Sequence, residues 1–210
     1  MSSWLRARYS VYAKFYDLGP GFDEERRRAI ASLDLEPGER VLVPGIGTGA
    51  DLPLLPAALE VLGVDLTPAM LARARAHQRP GVELRVMDAQ RLELPDCAFD
   101  AVLLHQLLEV VTDPVRCLAE AARVLRPGGR LSVFDKFLPD DDPPSPWRAA
   151  LARAVDYLFT TPKLRFGELL ESSQAPLSLQ HELPCASPFR ILLLQRHAAA
   201  GQGRLRRAAS

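Results

Sequence analysis

Three observations predict an α/β fold in which a doubly wound, mostly parallel, seven-stranded sheet ends in an antiparallel hairpin. Short runs rich in β-branched residues recur from Val41 onward, and helical segments carrying start signals alternate with them. Two further strand-like runs near the carboxyl end lie too close together for a parallel crossover. The 210 residues, 48% hydrophobic and 25% charged, suffice for one well-buried core.

The first element is an amphipathic helix. Leu5, Tyr9, Tyr12 and Tyr16 recur at helical spacing, Trp4, Val11 and Phe15 widen that face, and Arg6, Arg8 and Lys14 lie elsewhere. Val41–Val43, Val61–Asp65 and Val82–Met87 then read as strands separated by helical stretches. Ala101–Leu104 and Leu131–Phe134 continue the sheet, with a helix between them whose Val115, Leu118, Ala122 and Leu125 share a face. Asp113 is placed to cap that helix, Pro114 suits its first position, and Gly128 suits the left-handed residue that ends it. Thr67-Pro68, Ser145-Pro146 and Thr161-Pro162 repeat the same opening, so a helix is expected after each. One of these repeats the amphipathic pattern with Trp147, Leu151, Ala154 and Leu158, and adds Arg148 and Arg153. Leu177–Leu183 and Phe189–Gln195 form the terminal hairpin, joined through residues 184–188. The expected organisation is a helical cap over 1–36, a core over 37–197 with a helical insertion at about 144–174, and a disordered basic tail over 198–210.

Composition excludes several classes. Lys plus Arg and Asp plus Glu both number 26, so net charge provides no pull toward nucleic acid. Cys97, Cys117 and Cys185 are widely spaced and odd in number, which fits neither a disulfide framework nor a metal site. His77, His181 and His197 have no partners at metal-ligand spacing, and no metal is expected. No secretory leader and no apolar run of about 18 residues is present, which points to the cytoplasm.

The chemistry concentrates after the first strand. Pro44-Gly-Ile-Gly-Thr-Gly-Ala50 is a turn whose missing side chains let a ligand approach bare amides, and it is expected to open a helix. Asp65 follows Gly45 by twenty positions, the spacing at which an acid accepts hydrogen bonds from ribose hydroxyls. Together they indicate a nucleoside ligand. Gly45-x-Gly47-x-x-Ala50 also satisfies the dinucleotide pattern, so a nicotinamide oxidoreductase and a plain glycine turn stand beside that reading.

Residues 38–136 resemble a class I S-adenosylmethionine-dependent methyltransferase, with its Rossmann-like sheet. The likeness rests on Pro-Gly-Ile-Gly-Thr-Gly, Val-Leu-Gly-Val-Asp-Leu-Thr-Pro-Ala-Met-Leu, Met87-Asp88-Ala89, Phe99-Asp100-Ala-Val and Leu125-Arg-Pro-Gly-Gly-Arg130. It implies S-adenosylmethionine as cofactor, with contacts from Gly45, Gly47, Gly49, Asp65, Leu66, Met70, Asp88, Ala89 and His105. In that assignment the glycines face the methionine part, Asp65 the ribose diol and Asp88 the adenine amino group. A helix or turn cap is the competing role for Asp65 and Asp88. The family usually carries an acid where this chain has Val43. Val-Pro-Gly-x-Gly, with Asp51 beyond it, is similar to thiopurine, thiol and halide methyltransferases. The rest of the chain is more similar to ubiquinone/menaquinone C-methyltransferases and small bacterial phosphatidylethanolamine N-methyltransferases.

That likeness implies a small-molecule or lipid acceptor, with amine N-methylation first and C-, O- or S-methylation of a quinone-like or thiol molecule next. A non-catalytic nucleoside-binding module is the alternative from another class. His105 follows a strand at the sheet's carboxyl edge and is the candidate base, with a packed structural histidine as the competing role. Tyr12 and Tyr16 are the candidate contacts for a cationic amine or the sulfonium, through their ring faces. Residues 3–16 and 147–159 suit peripheral contact with an anionic membrane, or packing as a lid and on the sheet.

Overall fold

Alternation decides how the strands sit. Val41 and Val43 point to one face of the sheet and Leu42 to the other, and all three are buried, as a strand covered on both sides requires. In the computed structural model, which describes residues 22–140 and 163–198, the strands are β1 (Arg40–Pro44), β2 (Glu60–Asp65), β3 (Val82–Val86), β4 (Phe99–His105), β5 (Leu125–Lys136), β6 (Leu177–Leu183) and β7 (Phe189–Arg196). They form one sheet in the order β3-β2-β1-β4-β5-β7-β6. The first five are parallel, and β7 pairs antiparallel with both β5 and β6.

The helices are α1 (Asp23–Ala31), α2 (Pro68–Ala74), α3 (Pro114–Val124) and α4 (Phe166–Ser173). Leu42, Leu104, Leu118, Leu131 and Phe166 belong to the core on one face, where α3 and α4 pack. Val41, Val43, Leu103, Leu71, the α1 residue Ile30 and Leu33 just beyond it form the core on the other. Chain order reverses between β1 and β4, and there an open parallel sheet leaves a crevice at its carboxyl edge.

Local signals hold in part. The Asp113 carboxylate accepts from the Arg116 amide at 2.9 Å, and Pro114 opens α3 as expected. That helix stops at Val124 because Leu125 turns extended and enters β5; Gly128 does take φ +78°, but within β5, where its register against β4 shifts between Phe99 and Ala101. No α-helix follows the glycine loop. Pro53 and Pro56 lack the amides an α-helix needs, so only a 3-10 turn, Leu52–Leu54, forms between β1 and β2. Thr67 precedes α2 without capping it, because its amide and hydroxyl both go to Asp65. Residues 163–165 are not helical, and α4 starts at Phe166 after an extended Arg165. Met87–Ala98 joins β3 to β4 without an α-helix. The expected helices over 3–16 and 147–159 and the tail beyond His197 lie outside the described residues, Ala198 excepted. Among the described residues no helix is long and apolar enough to cross a membrane.

Candidate active site

The turn after β1 is built for close approach. Gly45 has φ +63°, and a Cβ there would stand 2.4 Å from Leu107 Cδ1. Gly47 has φ +57°, and a Cβ there would meet only the Gly45 carbonyl oxygen, at 3.9 Å, so the space in front of it is open. The Gly47 amide donates to Asp65 Oδ2 at 3.0 Å, and the Thr67 amide donates to Asp65 Oδ1 at 2.8 Å. With the Thr67 hydroxyl these donors take three of the carboxylate's four acceptor sites, leaving one for a ligand hydroxyl. Burial pushes the Asp65 carboxyl above its usual range, against these amide bonds.

Gly45, Asp65, Leu66, Met70, Asp88 and Ala89 line one cleft at the β1–β2–β3 end of the sheet. Met87, Gln90, Leu107 and Val110 line it too, and sequence reading assigns none of them to the site. Asp88 Oδ1 accepts from the Gln90 amide and from Gln90 Nε2, both at 2.9 Å. Gln90 Oε1 in turn accepts from Thr112 Oγ1 at 2.6 Å and from the Asp113 amide at 2.7 Å, tying the cleft to the start of α3. Gly49 is held against Ala74, 3.1 Å from where its Cβ would stand. A larger cavity of about 480 Å³ lies at the opposite edge of the sheet. Its charged residues Arg40 and Glu60, and Glu83 and Arg85, already pair with one another.

His105 does not line the cleft. Its side chain is fully buried; Nδ1 lies 2.8 Å from Asp51 Oδ1 and Nε2 3.1 Å from Ser132 Oγ. A carboxylate only accepts, so Nδ1 carries a proton, while Nε2 shares its hydrogen bond with the Ser132 hydroxyl. Arg26 of α1 reaches the same carboxylate, with Nη1 at 2.9 Å from both Asp51 oxygens, and its Nη2 donates to Gln106 Oε1 at 3.0 Å. Burial alone raises the Asp51 carboxyl, but attraction and hydrogen bonding by His105 and Arg26 outweigh it and hold it well below the usual carboxylate range. Gln106 stands at φ +54°, a strained backbone at the sheet's carboxyl edge. Acting as a base, His105 would have to break one of two buried hydrogen bonds. Val43 lies in the apolar core beside Ile30 and Leu33.

A second carboxylate pair stands at the ends of β4 and β5. Asp135 Oδ2 accepts from the amides of Leu108 at 2.8 Å and Glu109 at 3.3 Å, and Oδ1 from the Lys136 amide at 2.8 Å. Glu109 Oε1 accepts from the amides of Lys163 and Leu164, both at 2.9 Å, so the returning chain is anchored beside the cleft wall. Burial pushes the Asp135 carboxyl up to about 6, opposed by its amide bonds and helped by the Glu109 carboxylate. The native state therefore favours the protonated acid. Its contribution to stability is fullest below about pH 4 and is lost as pH rises toward 6, a swing of about 3 kcal/mol. The stability of Asp135→Asn relative to the unmodified chain should improve by that amount between pH 4 and pH 7, read by urea unfolding at each pH. An unchanged difference would show that Asp135 ionises normally in the fold.

A model of the methyltransferase domain matches residues 42–133. The chain is 39% identical, over 151 residues, to a protein of Cereibacter sphaeroides named phosphatidylethanolamine N-methyltransferase, covering 70% of this chain and 73% of that one. The chain belongs to the class I S-adenosylmethionine-dependent methyltransferases. This methyltransferase is also 33% identical over 138 residues to the demethylmenaquinone methyltransferase of Renibacterium salmoninarum, covering 60% of this chain and 58% of that protein's length. The fold matches a solved geranyl diphosphate methyltransferase in complex with S-adenosylmethionine, at TM-score 0.67 and 16% identity, over 82% of this chain and 84% of the other. The seven-stranded sheet and its terminal hairpin are those expected of the family.

Proposed function

We propose that this methyltransferase methylates the amine of a lipidic or small acceptor with a headgroup like that of phosphatidylethanolamine. The observation that carries the reading is the 39% identity, over 70% of the chain, to a relative named for that reaction. The cofactor assignment is supported by the open space before Gly47 and by two carboxylates, Asp65 and Asp88, on one cleft. Asp65 would accept from a ribose hydroxyl and Asp88 from the adenine amino group, with Leu66, Met70 and Ala89 packing around them. Bound there, S-adenosylmethionine supplies a methyl group activated by a sulfonium. The chain's part is alignment and exclusion of water. We assign His105 to positioning, because both its nitrogens are engaged.

Acceptor recognition falls to the β4–β5–β7 side. Phe22 packs on Phe189 and Phe134 at this edge, with centroids 4.6 and 5.7 Å away. Tyr16 lies six positions upstream, within a reach of about 20 Å, and Tyr12 within about 35 Å. Their proposed role is to face the acceptor cation. On this side the Leu138 amide donates to the Leu164 carbonyl at 2.8 Å. Residues 3–16 and 147–159 are the proposed membrane contacts. The relatives named demethylmenaquinone methyltransferase support a second reading, C-methylation of a quinone-like ring.

Labelled S-adenosylmethionine, the purified chain and cell extract, separated into lipid, small-molecule and macromolecular fractions, decide between them. Label in an aminophospholipid is the expected result. Label in quinone transfers the assignment to the second reading, and label confined to macromolecules ends both.

A further inference from the structure

Along the sheet edge the strands present their ends in spatial order: Asp88 after β3, Asp65 on β2, the glycine loop after β1, His105 on β4. With base and sugar held at the first two, the methionine end of the cofactor would run over the glycine loop toward β4. Between that loop and the end of β4 lies the Arg26–Asp51 pair, with side chains 8% and 3% exposed and Nη1 2.9 Å from Oδ2. Three elements converge on it: α1 through Arg26, the chain just past Gly49 through Asp51, and β4 through His105.

We propose that Arg26 and Asp51 are positioning residues that set the charge beside the methyl-transfer centre, and so tune how strongly the site prefers the cationic sulfonium over the neutral thioether product. This rests on the cofactor reading above. Asp51 alone would hold the sulfonium tightly before transfer, and attraction present equally before the transition state gives no acceleration. Arg26 cancels that charge at contact distance while leaving the carboxylate in place to orient the His105 ring. Transfer moves the methyl carbon from sulfur to the acceptor, the C–S pair returns to sulfur, and the site's cation leaves with the product amine. A neighbourhood without net charge from this pair suits both states.

Neighbouring strands lie about 4.8 Å apart, so a sulfur held between the glycine loop and the end of β4 would stand within roughly 10 Å of the pair. At that range, in a weakly screened interior, one uncompensated charge changes the affinity of a cation on the order of tenfold. Calorimetry with S-adenosylmethionine and S-adenosylhomocysteine tests this on the unmodified chain, Arg26→Met, Asp51→Asn and the double variant. Relative to the unmodified chain, the affinity ratio of sulfonium to thioether should fall on the order of tenfold in Asp51→Asn, rise similarly in Arg26→Met, and return in the double variant. A merely structural role would weaken both ligands alike and leave the ratio unmoved, which overturns the proposal while sparing the cofactor reading. Failure of the unmodified chain to bind either ligand overturns both. Should one single variant not fold, the other must move the ratio in its stated direction and the double variant restore it.

Discussion

Asp65→Ala should raise the dissociation constant for S-adenosylhomocysteine by on the order of 100-fold, or about 3 kcal/mol, with the folded state retained. A ribose diol offers a hydroxyl to the remaining site of a charged acceptor, and such a bond is worth about 1.5–3 kcal/mol when made in a partly buried cleft. The same carboxylate accepts the Gly47 and Thr67 amides, so its loss also releases the glycine loop from the end of β2. Asp65→Asn, which keeps one carbonyl acceptor, should fall between the two. Calorimetry gives the constant, and far-ultraviolet dichroism checks the fold. An unaltered constant in Asp65→Ala would take Asp65 out of the binding site.

Removing the Asp51 carboxylate should cost stability instead. In Asp51→Ala a guanidinium that is 8% exposed loses the Asp51 carboxylate, and the His105 Nδ1 proton loses its acceptor. Stranding one member of a buried ion pair costs about 3–5 kcal/mol, because the remaining charge keeps its desolvation penalty without its attraction. For a domain of this size that lowers the melting temperature by roughly 10 °C. The pH dependence has a definite sign. A carboxyl held below its unfolded value contributes stability that is present above about pH 4 and lost as pH falls further, so the variant and the unmodified chain should converge in acid. Equal melting temperatures at neutral pH would show that Arg26 is satisfied without Asp51.

Sequence reading reaches what local pattern controls. The strands at Val41–Val43 and Val61–Asp65 are legible because buried parallel strands need short apolar runs, and α3 because an acid followed by proline satisfies its first amides. Asp65 and Asp88 are legible through family motifs, and both line one cleft. The helix expected after the glycine loop is absent, since Pro53 and Pro56 break the run that would have formed it. His105 stands at the expected edge, but nothing in its sequence neighbourhood announces that both nitrogens are taken.

The sequence alone determined the order of strands along the chain, the glycine turn and the two carboxylates at or just past strand ends, because each depends on residues within a few positions of one another. Only the tertiary structure decided which buried charges meet. Arg26 and Asp51 are 25 positions apart, Asp51 and His105 are 54, and His105 and Ser132 are 27. A charge in a low-dielectric interior takes whichever partner the sheet order brings within about 3 Å, and that order is set by packing across the whole chain.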